Sequence, residues 1–69
     1  MDDAELFADL SRRLRETHRR VAGLQVSDVE KSRVTRHLIA ITDASKHDLS
    51  RASGRLDRLI AEVDIIENP

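Results

Sequence analysis

The chain has 69 residues, enough for one domain, and a domain this small is marginal without a disulfide, a metal, very regular helix packing or a partner. It contains no cysteine, which excludes disulfides and thiolate metal sites and points to a reducing compartment, and its one aromatic is Phe7, so any core is aliphatic. A net charge of −1 argues against strong general affinity for nucleic acid, and no apolar run approaches the length of a membrane span.

The first predicted helix starts at Asp2 or Asp3 and runs to about residue 22. Asp2 is placed to cap it, with Glu5 three residues on, and Met1 and Leu6 are placed for a hydrophobic staple across the cap. Phe7, Leu10, Leu14, Thr17, Val21 and Leu24 follow at alternating three- and four-residue spacing, the seam of a heptad packing. Asp9 with Arg13 and Glu16 with Arg20 are favourable pairs four residues apart. Gly23 supplies a left-handed stop.

Residues 23–26 read as a short loop, which makes the flanking helices antiparallel neighbours. Ser27 and Glu30 then form a capping box. From there Val34, Leu38, Ile41, Ser45, Leu49, Ala52, Leu56, Leu59, Val63 and Ile66 keep to one helical face. The spacing predicts a second helix over about 28–66, roughly 58 Å long at about 1.5 Å per residue. Leu14 is then expected near Leu38, Leu10 near Ile41 and Phe7 near Ser45. The first helix ends its cover around Asp48. Leu49, Ala52, Leu56, Leu59, Ile60, Val63 and Ile66 form an apolar stripe beyond its reach, and such a stripe marks an interface.

Two architectures bury that stripe. In the expected one the chain is an all-α, αα-hairpin with a short first helix (3–22) and a long second helix (28–66), dimerising into an antiparallel helical bundle. The alternative is a monomeric three-helix bundle with a break near 42–48. That segment is polar, and Ser45 with Asp48 three residues on is placed to cap a new helix before Leu49. Against a break, no Gly, Pro or Asn lies there to stop the preceding helix. The two forms are related by domain swapping. Charge accompanies either: Glu62, Asp64 and Glu67 sit at the C-terminal end of the last segment, the wrong sign for the helix dipole, and either packing brings them toward the basic residues 31–36. In outline the dimer resembles ROP-type hairpin dimers, with no functional motif shared.

Candidate chemistry is sparse. Arg12, Arg13, Arg15, Arg19 and Arg20 are the densest charge cluster and the only candidate nucleic-acid contact, although they spread around the helix and lack aromatic neighbours for base stacking. His18, His37 and His47 read as surface residues. Asp43 and His47, four apart, lack the further ligands a metal site needs. No serine sits in a nucleophile elbow. The sequence therefore predicts a single helical domain over 1–69 without catalytic residues, metal or cofactor. Its expected role is a non-enzymatic interaction or regulatory protein, homodimeric or bound to a helix of another protein, and cytoplasmic since the acidic start Met1-Asp2-Asp3 lacks a signal pattern. RNA or DNA binding through the arginines is the second reading. No membrane contact is expected.

Overall fold

A computed structural model describes residues 2–69. The expected staple between Met1 and Leu6 lies outside the described residues. Three helices pack around one core: α1 (Asp3–Ala22), α2 (Asp28–Ala44) and α3 (Leu49–Glu67), with no strand among the described residues. Every helix contacts the other two, in a body 38 × 20 × 16 Å.

Each helix starts on a short polar side chain that accepts a hydrogen bond from the third residue on. Asp2 accepts from the Glu5 amide at 2.8 Å, Ser27 from the Glu30 amide at 3.2 Å and Asp48 from the Arg51 amide at 3.0 Å. Each such bond satisfies an amide that the helix leaves free at its first turn. The close of α1 corrects the expectation for Gly23. Its φ is −91°, not left-handed, and the helix ends by tightening: the amides of Gly23 and Leu24 donate to Arg20 and Val21 carbonyls, each at 3.1 Å.

The long second helix of 28–66 is divided in this structure. The chain turns at residues 45–48, and the physical cause lies in side chains rather than in a breaker residue. Thr42 Oγ1 donates to the Leu38 carbonyl at 2.9 Å and Ser45 Oγ to the Thr42 carbonyl at 2.6 Å. Hydroxyl groups that bond back onto the preceding turn weaken a helix there. Asp48 then takes extended angles (φ −150°, ψ 95°) and caps α3.

The turn folds the apolar stripe back onto the hairpin. Leu10, Leu14, Val21 and Leu24 meet Val34, Leu38 and Ile41 from α2 and Ala52, Leu56, Leu59 and Val63 from α3. Leu49, Ile60 and Ile66 pack partly buried at its margin. Thr17 is buried among them with its hydroxyl bonded to the Arg13 carbonyl at 2.7 Å, so it carries no unmet donor. Phe7 departs from its expected core position: it lies beside Ser45, as the spacing predicts, but it is 52% exposed. At that end α2 gives way to the turn, and Phe7 forms the wall of an open groove instead.

Candidate functional site

The structure sorts the charges by helix face. α3 turns Asp57, Asp64 and Glu67 toward α1. Arg13, three-quarters buried, reaches Asp57 and also donates to Ser53 Oγ at 3.4 Å. Arg20 binds Asp64 and grips Glu67 with two donors, at 3.2 and 3.0 Å. Those bonds from Glu67 and Asp64 hold the Arg20 guanidinium above its ordinary pKa. On the other side of α3, Glu62 meets Arg33 of α2, which also binds Glu30 at 2.6 Å. Arg33 in turn holds the Glu30 carboxyl below its ordinary value. The acidic end of α3 is thus matched by basic residues of its own chain. Of the basic residues 31–36, Arg33 alone takes part in these pairs, while Lys31 donates to the Ala22 carbonyl at 3.1 Å.

These pairs change the meaning of the α1 arginine cluster. Arg12 is held by Asp9 at 2.8 Å and Glu16 at 3.1 Å, and both raise its pKa. Glu16 therefore serves Arg12, not the expected Arg20. Asp9 does approach Arg13, at 4.0 Å. With Arg12, Arg13 and Arg20 engaged, Arg15 and Arg19 are the members left without an ion-pair partner among the described residues. The cluster is therefore largely compensated, as exposed and half-exposed ion pairs on a solvated surface usually are.

Three further arginines share one stripe of α3. Arg51, Arg55 and Arg58 are exposed on α3 and have no ion-pair partner among the described residues. With Ser50 and Gly54 they bound a depression of about 420 Å³. Their spacing, four then three residues, was legible in the sequence as one helical stripe. It runs beside the apolar stripe of residues 49–66, whose periodicity is the stronger signal in that segment.

The residues expected at an interface, Leu49, Ala52, Leu56, Leu59, Ile60, Val63 and Ile66, belong to the core or its margin within one chain. The large apolar side chains left in solvent are Phe7, Val29, Ile39 and Ile65. Phe7 and Leu14 wall a mostly apolar groove of about 300 Å³ with Arg15, His18 and Lys46 among its lining residues. His18, His37 and His47 are all exposed, and no group of three potential metal ligands occurs among the described residues. No helix is long and apolar enough to cross a membrane. No known protein family, curated protein or solved structure matches the chain.

Proposed function

We propose that this chain is a small non-enzymatic interaction protein that acts through helix–helix packing as a homodimer. In that dimer residues 28–66 run as one helix and each copy's α3 packs on the other copy's α1 and α2. The observation that carries this reading is the backbone bonding of the turn. The Ser45 amide donates to Ile41 at 2.9 Å, and the Lys46, His47 and Asp48 amides donate to Asp43, Ala44 and Ala44 at 3.2, 3.0 and 2.9 Å. The Ala52 amide then donates to Asp48 at 3.0 Å. The four-residue helical bond is thus kept at the amides of 45, 48 and 52, replaced by a tighter three-residue bond at 46 and 47, and missing at the amides of 49, 50 and 51.

Straightening the chain would give those three amides their helical partners, a net gain of about 0.5–1.5 kcal/mol per bond. It would forfeit the Asp48 cap, about 1 kcal/mol. The turn contains no glycine, no proline and no positive φ, so nothing in its covalent structure holds it bent. Exchange preserves the core contacts of α3 and its ion pairs with Arg13, Arg20 and Arg33, now made between copies, while α1 and α2 keep their own contacts within each chain. Against it stands the entropy of association, about 4–15 kcal/mol at the standard state, so protein concentration sets the balance.

Light scattering across a dilution series tests this directly. The dimer fraction rises with concentration, and Asp48→Ala, which removes the cap, raises it further. Leu49→Pro has the opposite effect. Proline suits the first position of a helix after an extended residue, which is the geometry at 48–49, but it costs a continuous helix about 3 kcal/mol or more. That variant stays helical and monomeric. A wild type and an Asp48→Ala variant that both remain monomeric at the highest soluble concentration would overturn the proposal.

A further inference from the structure

We infer that the outward face of α3, centred on Gly54 and carrying Arg51, Arg55 and Arg58, binds the phosphate backbone of a nucleic-acid duplex. This goes beyond the self-association proposed above and stands on different residues.

Gly54 is the first observation. It lies in the interior of a 19-residue helix, where glycine costs about 1 kcal/mol against alanine. A Cβ added there meets nothing within 4 Å, so no packing inside the molecule requires the glycine. Its φ is not positive, so no backbone conformation requires it either. A local rule broken without internal compensation points to something outside the chain. The missing side chain leaves low ground among three guanidinium groups, open to close approach.

The second observation is the isolation of those three groups. The carboxylates of α3 are committed elsewhere: Asp57 to Arg13, Asp64 and Glu67 to Arg20, Glu62 to Arg33. The overall charge of −1 therefore conceals a helix with one compensated flank and one uncompensated cationic face. The three arginines span about 10 Å of helix axis. A duplex presents one phosphate per about 1.7 Å, so several lie within their reach. Guanidinium also suits phosphate oxygens by its two-pronged donor geometry.

The composition of the face selects the partner. Ser50, Arg51, Gly54, Arg55 and Arg58 include no apolar residue, and the one large apolar side chain exposed on α3, Ile65, lies two turns beyond Arg58. A docking helix needs apolar anchors at helical spacing, and a membrane-surface helix needs apolar side chains to insert. Binding of single strands draws on aromatic stacking, and the one aromatic, Phe7, lies on α1. A duplex backbone asks only for cations and shape.

Fluorescence anisotropy with a labelled duplex of about 20 base pairs, as DNA and as RNA, tests this in roughly 50–200 mM salt. Three phosphate contacts give a slope of log K against log salt near −2.7, an affinity loss of about 40-fold over that range. R51Q/R55Q/R58Q flattens the slope and weakens binding at least about 40-fold at the low-salt end, with an unchanged circular dichroism spectrum. Gly54→Leu keeps the helix and weakens binding by filling the depression, whereas R12Q/R15Q/R19Q retains binding. The inference is overturned if no duplex binds at the lowest salt, if the α1 triple variant loses binding while the α3 triple keeps it, or if phosphatidylserine vesicles bind through the α3 arginines and the duplexes do not.

Discussion

Replacing Leu56 by alanine tests the central packing claim. Leu56 has 0% exposure and sits in the cluster that joins all three helices, with Leu10, Leu38, Ile41 and Leu59 among its members. Truncating a buried leucine costs about 2–5 kcal/mol, depending on how far the surroundings collapse into the space. Three capped helices meeting at one site cannot collapse freely, so about 3 kcal/mol is the expected loss. An unfolding entropy of about 2.1 cal/mol/K per residue gives about 145 cal/mol/K for this chain, so the melting temperature falls by about 20 °C. Total stability for a domain of this length is about 3.5–10 kcal/mol, so the variant retains about 0.5–7 kcal/mol. Ile65→Ala is the control, because Ile65 is 67% exposed on the same helix. It changes stability by less than about 0.5 kcal/mol, or about 3 °C. Thermal melts followed by circular dichroism read both variants. A Leu56→Ala protein that melts within about 5 °C of wild type would show that the α3 stripe is not the core. The test holds whether the core is closed by one chain or by two, since both bury Leu56.

Two further predictions concern the caps and pH. Ser27→Ala removes the acceptor for the Glu30 amide and lowers stability by about 1 kcal/mol, or about 7 °C in the melt, while Ser27→Asp retains most of it. The Glu30 carboxyl is held below its ordinary value by its hydrogen bond from Arg33. A depressed carboxylate contributes stability above its unfolded pKa and loses it as pH falls through the folded one. Glu30→Gln therefore melts below wild type at pH 7, and the difference shrinks as pH falls below the ordinary carboxylate range; an equal difference at pH 7 and pH 3 refutes the pairing.

What was legible in the sequence was what local spacing and capping chemistry determine. The limits of α1, the start at Ser27 and the burial of Leu56, Leu59 and Val63 all follow from three-four spacing between short polar caps. The turn at 45–48 is less legible, because no Gly, Pro or Asn lies there and the apolar spacing runs through it unbroken. The stop here is distributed over Thr42, Ser45 and Asp48, none of which forbids a helix alone. The fate of the arginines depends on which flank of α1 meets α3. That is a tertiary fact, so local spacing offers Arg13 and Arg20 only partners within α1, Asp9 and Glu16, and not the α3 carboxylates Asp57, Asp64 and Glu67 that they meet. A single glycine inside a helical pattern, as at position 54, is tolerated at about 1 kcal/mol, so spacing alone does not single it out; the empty space around it is a tertiary fact.

The short connections also govern time. Residues 23–27 and 45–48 are the only chain between helices, so core contacts form between elements close in sequence, and such bundles fold in microseconds to milliseconds. At about 10 μM, encounters between copies occur at roughly 1–100 per second. Each new chain therefore closes α3 onto its own hairpin long before it meets another, and the exchanged dimer proposed above would arise only afterwards, at the pace at which α3 lets go. Interconversion inherits that barrier in both directions. Under that proposal a sample concentrated and then diluted would keep, for a while, the proportion of dimers it had before, a record of its own past abundance.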